Sequence, residues 1–570
     1  MRNIKKYFIL AVLAASLFGC KDFLDETPKA VLSEDQVKTL DNIDRLVIAA
    51  YSWLGNDHYT APNYLWTTGN LRAGDAHKGG NGPGDIFIYH ALSVYPLIIA
   101  DMSSYPPDFT DHNNNKWQRQ YTGIVRCNSA LRVLNEVSEA DFPLKAVRQA
   151  ELRFLRGHFY FDLKIHHKLV PYFDETVPDD EITKISNVAL SDQELWTKIA
   201  DEFRFGVSNL PETQPEVGRV NKFTAMAYLA KALLYQAYVQ DDKHQVINID
   251  NAKLEEVVSL VDQIEASGQY ALVADFAENF LWEFENNTES VFAIQRSIND
   301  GSPDGRGTWS TALNYPQSAE FGCCGFHVPT ENFVNAFKTG SDGLPLFDTF
   351  NDANYNPAVD AVDPRLDHTV YMDGKPFKYD PSLIVDGNAW ARAPNVYGAF
   401  GSMKELVHPD CPCRAANGPF TISSMNTVLI RYADVLLWKA EALIELGRQM
   451  EALPIINQIR QRAANSTGRL NNASIYNISQ YDGSNWTQEY ARQALRLERR
   501  LELGLEGWRF FDLVRWGVAK ETIDAYLAVE KTRKEYLKDA IFEQGHHEYM
   551  PIPQQQINIS GGLYQQLPGY

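Results

Sequence analysis

Six cysteines are spread through the 570 residues, and two of them, Cys323 and Cys324, are adjacent in SAEFGCCGFHVP. Neighbouring thiols can serve as nucleophiles, hold a metal or bond to each other. α-Carbons across a trans peptide lie about 3.8 Å apart, below the usual disulfide range of about 4.4 to 6.8 Å. A mutual bond therefore closes a strained eight-membered ring, flat and apolar on its face, of the kind that surroundings enforce at binding sites. The alternative leaves the two free or separately paired, with Cys411 and Cys413 of CPC as rival partners, themselves too close for an easy mutual bond. No His/Cys set accompanies them, so zinc has too few ligands.

Other constellations are weaker. Asp352, Asn354, Asn356, Asp360 and Asp363 fall at calcium-loop offsets, but Pro357 stands where the sharp turn needs Gly and the last ligand is Asp rather than Glu. A solvated acidic loop is the expectation. His158, His166 and His167 show no His-Glu-x-x-His pattern, and adjacent histidines point to different helix faces. We therefore expect no metal and no cofactor. The run Glu498, Arg499, Arg500, Glu502, Glu506, Arg509, Asp512 and Arg515 has i, i+3 and i, i+4 spacings that predict ion-pair ladders on a scaffold helix. Glycoside hydrolysis needs two carboxylates roughly 5 to 9.5 Å apart, which spacing along a chain with 73 acids does not select. There is no Gly-x-Ser-x-Gly elbow or phosphate loop, and we expect no catalytic residues.

Capture of a sugar asks for aromatic faces flanked by Asp, Asn and Arg that bond hydroxyls, with bridging water tolerated. Such groups are concentrated in loops: Trp66, Asn70, Arg72, Asp75 and Lys78; Trp309 and Tyr315; Arg365; Trp390 and Tyr397. With Cys323 and Cys324 they form the candidate ligand-binding set. Core packing of the same rings is the competing reading.

The elements that must position them are mostly helical. Apolar stripes predict amphipathic helices from Ser33, an N-cap, through Leu54, and over 116–137, 143–166, 192–210, 222–239 and 251–266. Later pairs span 428–446 with 451–464 and 488–505 with 508–516. Small residues such as Ala227, Ala230, Ala433 and Ala440 permit close crossings, and short turns favour antiparallel neighbours. The pattern is that of tetratricopeptide-like helix pairs, without an exact 34-residue period. Between 291 and 424, and again over 56–107, Gly, Pro, Asn and Asp break the periodicity, leaving short strands such as VFAIQ and HTVYM. Long ordered loops on a helical scaffold are where ligand chemistry sits.

A formal charge of -20 argues against nucleic acid as a partner. The N-terminus carries Arg2, Lys5 and Lys6, then an apolar run ending in LFGC, which reads as a secretory signal. The ending resembles a lipobox, with cleavage after residue 19 and lipidation of Cys20. Such cleavage takes the charge to -23. No later segment reaches the ~18 apolar residues of a membrane span.

Several segments, in order along nearly the whole chain, resemble the SusD/RagB family of Bacteroidetes surface lipoproteins. CKDFLDETP is similar to the family's opening and acidic export tag. AVRQAELRFLRGHFYFDL with Val170 and Pro171, GRVNKFTAMAYLAKALLY, IRYADVLLWKAEALIELG with INQIRQRA, ERRLELGLEGWRFFDLVRWG, and the closing YMPIPQQQI and LPGY resemble its helices and C-terminal signatures. Gly157 and His158 depart locally from the pattern. The resemblance implies a mainly α fold: a tetratricopeptide-like scaffold carrying an irregular loop-rich lobe with a few short strands. The expected division is a signal peptide (1–19), a helical region (20–290), a ligand-binding lobe (291–424) and a C-terminal helical region (425–570). It also implies a lipid-anchored protein on the outer face of the outer membrane. Such a protein is no enzyme: it captures oligosaccharide or polysaccharide and passes it to a SusC-like TonB-dependent transporter. Alternatives are peptide capture as in the RagB branch, a carbohydrate-active hydrolase, or a purely structural adaptor.

Overall fold

The computed structural model describes residues 40–106, 110–301, 306–471 and 473–570. The signal, Cys20, the acidic tag and Ser33 lie outside the described residues. Eleven helices carry the scaffold and are labelled here: α1 Leu40–Leu54, α2 His112–Glu136, α3 Lys145–His167, α4 Asp192–Asn209, α5 Lys222–Ala237, α6 Asn251–Ala266, α7 Tyr432–Glu445, α8 Gln449–Asn465, α9 Gln488–Glu502, α10 Arg509–Arg515 and α11 Ala519–Arg533. From α2 to α8, each helix packs on the next, which is the stacking of antiparallel helix pairs.

Local chemistry sets the helix boundaries. Ser191 and Glu194 form a capping box at the start of α4, satisfying donors that the first turn leaves without partners. Asn221, Asp250 and Thr487 cap α5, α6 and α9 through their side-chain oxygens. Gly447 ends α7 at φ 75°, a conformation that favours glycine. Gly157, a departure from the family pattern, has a packing role: a Cβ there would lie 2.9 Å from the Phe203 ring, so its absence lets α3 approach α4.

Three expected boundaries differ by three residues or more: α2 starts at His112 rather than 116, α9 ends at Glu502 rather than 505, and α7 starts late. Thr427–Arg431 is a strand, and helix α7 begins only at Tyr432. The run Thr427, Val428, Leu429, Ile430 favours extended backbone, and it pairs antiparallel with Ser290–Ile294. Two further pairings matter for the lobe. Ala76–Gly79 (β1) lies antiparallel to Phe326–Pro329 (β2), tying the two loop-rich regions together. Arg414–Asn417 (β3) and Phe420–Ser423 (β4) form a hairpin.

The charged run is structural, as expected, but its partners are mostly distant in sequence. Only Arg515 with Asp512, at 2.8 Å, makes a pair of the anticipated helical spacing. Arg499 instead reaches Asp434 at 2.7 Å. Glu502 accepts from Arg365, Arg431 and Arg462, while Glu506 accepts from Arg431 and Lys404. With Arg460, Asp363, Glu289 and Glu498 added, five cations face five carboxylates in a buried network. It joins the irregular lobe to α8 and α9, and its balanced charge offsets the cost of burying ions.

Candidate glycan-binding surface

The structure places most of the expected site residues inside the protein, for identifiable reasons. Trp66 is 0% exposed; its indole Nε1 donates to Ser310 O at 2.9 Å. Asn70 bonds His327 and Leu505 O. Arg72 lies over the Phe510 ring, 3.9 Å from its centroid, and donates to His547 O; burial pulls its guanidinium down to about 10. Asp75 accepts from Arg500 at 2.7 Å. Lys78 folds back onto Gly82 O and Asp85 O, closing the loop KGGNGPGD. Arg365 is in the buried ion network. Tyr315 and Trp390 belong to a small aromatic core, Trp390 standing 5.3 Å from Phe321. Tyr397 packs on Tyr536 at 5.1 Å. These nine hold the loops in place and have little or no outward surface to offer a ligand.

Trp309 and Cys323 differ, since both keep outward surface. Cys323 is bonded to Cys324 through a cis peptide. Cys324 is buried in a core cluster, so only the Cys323 side of the pair faces outward. Cys411 and Cys413 are also bonded to each other, contrary to the expected difficulty. The turn that brings Arg414 N to Cys411 O sets their α-carbons 5.1 Å apart, within the normal disulfide range. Cys127 is the free, buried cysteine among the described residues.

Around Cys323 the fold gathers rings that the sequence reading did not select. The hairpin β3–β4 presents Phe420, whose backbone bridges that of Cys323. The Trp309 and Phe420 centroids are 6.2 Å apart, edge to face; Tyr59 and Phe420 are 6.1 Å apart, and His58 stacks on Trp309 at 6.0 Å. His58 is exposed and the others half-buried. A charged pair stands nearby: Arg392 donates to Asp85 at 2.8 Å, both about a quarter exposed, and a Cβ on Gly325 would lie 3.5 Å from Arg392 N. The arrangement offers apolar ring faces edged by donors and acceptors, which suits the apolar face and hydroxyl rim of a sugar.

His58 and Tyr59 lie at the start of the loop 56–107, where an aromatic beside Asn and Asp was the available signal. Phe420 follows the turn residues Gly418 and Pro419, and Arg392 is two residues from Trp390. What the sequence lacked was the inward or outward direction of each ring.

Other expectations concern metals. Asp363 turns inward to Arg365, and Asp360 accepts from Asn356 N at 2.8 Å. His158, His166 and His167 each have separate partners: Tyr228, Asp162 O and Pro551 O. Among the described residues no group of three or more His, Cys, Asp or Glu could hold an ion. A different open cleft, of about 940 Å³, lies between α8 and the Leu272–Asp275 stretch. It carries no aromatic face, and its amides bond to one another, as Gln461 does to Asn465 at 2.9 Å.

Comparison with known proteins decides the family. The SusD family model matches residues 288–570, and a second, described as starch-binding associating with outer membrane, matches residues 22–234. The chain belongs to the SusD/RagB family. A SusD-like protein of Formosa agariphila is 25% identical over 582 residues, covering 100% of both chains. A SusD homolog from Bacteroides thetaiotaomicron shares the fold at a TM-score of 0.70 and 20% identity, over 94% of this chain and 99% of that one. Surface glycan-binding protein A from the same species, solved with laminarihexaose, gives 0.65 and 18%, over 93% and 99%. The expected mainly helical SusD fold is thus observed.

Proposed function

We propose that this SusD/RagB protein captures oligosaccharide at the cell surface on the ring cluster of His58, Tyr59, Trp309 and Phe420, with the Cys323–Cys324 disulfide as an apolar platform beside them. The observation that carries the reading is the meeting of these four rings, His58 exposed and the others half-buried, in one cluster beside the Cys323–Cys324 disulfide. Ring centroids about 6 Å apart are in ordinary aromatic contact, so the rings form one continuous apolar patch on which a sugar face can lie. Support also comes from the structural relative solved with laminarihexaose, which makes β-glucan fragments the first ligands to try.

In this reading the protein binds without catalysis, is held by lipid on Cys20 facing outward, and hands its ligand to a SusC-like TonB-dependent transporter. Calorimetry of the purified protein against oligosaccharides and peptides is the test. Binding of a saccharide, lost in Trp309→Ala, supports it; binding of peptides alone, or release of shorter sugars from a bound chain, overturns it. Mass spectrometry of membrane-extracted protein would show a diacylglyceryl group on Cys20, and co-purification with a β-barrel would show the transporter.

A further inference from the structure

Beneath the ring cluster lies a buried carboxylate. Asp57 immediately precedes His58 and Tyr59 in the chain, and its side chain is fully buried. Its Oδ2 accepts from the backbone N of Ser310 at 3.0 Å and from Arg296 at 3.1 Å; its Oδ1 accepts from Asn63 N at 2.9 Å. Arg119 stands 3.6 Å away. Ser310 follows Trp309, so one carboxylate fastens both arms of the cluster.

Arg296 extends the same clamp. Its guanidinium also donates to Gly55 O at 3.0 Å, Gly307 O at 3.4 Å and Thr427 Oγ1 at 3.2 Å. It thereby reaches the residues before Asp57, those before Trp309, and the strand opposite. Ser310 is held from its other side by the Trp66 indole. Burial pushes the Asp57 carboxyl up, and Arg296 and Arg119 more than offset it, so the group stays ionised.

We propose that Asp57 is a positioning residue, whose buried carboxylate locks the His58–Tyr59 arm to the Trp309 turn and so presets the spacing of the rings that receive the sugar. This rests on the glycan-binding reading of the same surface. Surface loops that must order on binding lose affinity to that ordering, whereas a preset site does not. The burial of one carboxylate against two guanidiniums would otherwise be an expensive way to hold a loop.

The test uses Asp57→Asn and the double variant Asp57→Ala/Arg296→Met, which leaves no unpaired Arg296 charge if the single variant folds poorly. Hydrogen exchange is followed over 58–60 and 308–311, with α4 to α6 as an internal reference, beside calorimetric affinity for the saccharide bound by the unmodified protein. The expected result is faster exchange confined to the two arms and affinity at least about tenfold weaker, a difference of about 1.4 kcal/mol. Unchanged exchange in both variants, or affinity within about twofold of the unmodified protein, overturns the positioning role. The exchange measurement needs no ligand, so it decides that role even if the unmodified protein binds no saccharide, a result that overturns the functional reading.

Discussion

Cys323 and Phe420 lie backbone to backbone, in an isolated parallel bridge between the segment after Tyr315 and the tip of the β3–β4 hairpin. Through this contact a disulfide and an aromatic ring separated by almost a hundred residues share one patch of surface. Trp309 meets Phe420 edge to face, and Tyr59 approaches it from the loop after α1. Four stretches of chain thus supply one candidate platform.

Trp309→Ala and Phe420→Ala should each weaken saccharide binding by about tenfold or more, since a ring contact contributes about 0.5–1.5 kcal/mol beyond the area it buries. Both rings are half-buried, so apparent Tm should fall by less than it does when a core ring is truncated. Calorimetry paired with thermal melting checks both outcomes.

Arg392→Ala should lower affinity severalfold, because it removes guanidinium donors and leaves Asp85, still bonded to Asn81 N, without a counter-charge. Arg392→Lys should recover only part of the loss, an ammonium lacking the planar fork. Titration of both variants against one saccharide measures the difference.

Alkylation of the denatured, unreduced protein should label Cys127 but none of Cys323, Cys324, Cys411 and Cys413. After reduction all five should be labelled. Peptide mapping reads this directly, and a peptide linking Cys323 or Cys324 to Cys411 or Cys413 would contradict the pairing.

Glu502→Gln should destabilise the fold by ~3–5 kcal/mol, because it leaves Arg365, Arg431 and Arg462 short of a buried counter-charge. A large fall in apparent Tm is expected, with saccharide affinity near the unmodified value well below the transition.

Acid should destabilise the protein in two stages. Burial pushes the imidazoles of His112 and His167 down to about 3, and those of His158 and His166 to about 4. The unfolded chain takes up those protons near pH 6.5 and the folded one does not, so stability falls as pH drops below about 6.5. Asp111, pushed up to about 6 by burial, Glu285 and Glu548, pushed up to about 7, and Glu151 and Glu331, also raised, act in the opposite sense but are outnumbered by the depressed histidines, which include His77, His90, His244 and His547. The second stage belongs to Asp363, Glu502 and Glu506: burial raises these carboxyls, and facing cations more than offset it, leaving them below the usual range. Their contribution is full above about pH 4.3 and is lost as pH falls through the folded values. Apparent Tm from pH 7.5 to 3.5 should decline gradually from near 6.5 and steeply below about 4.

The residues of the chain fixed its scaffold almost unaided. Helices such as α4 and α6 were readable to within a residue, because apolar periodicity and capping side chains are local properties. The ordered family signatures likewise needed no coordinates. The strand Thr427–Arg431 escaped, since it exists through its pairing with Ser290–Ile294. So did the surface chemistry. Trp66 and Trp309, or Trp390 and Arg392, look alike as loop residues, and only packing against distant segments turned Trp66 and Trp390 inward while leaving Trp309 and Arg392 at the surface. The direction of a side chain in an irregular loop is set by non-local contacts and has no period to betray it. For that reason composition and order identified the kind of protein, and the tertiary structure alone brought Tyr59, Trp309, Cys323 and Phe420 together.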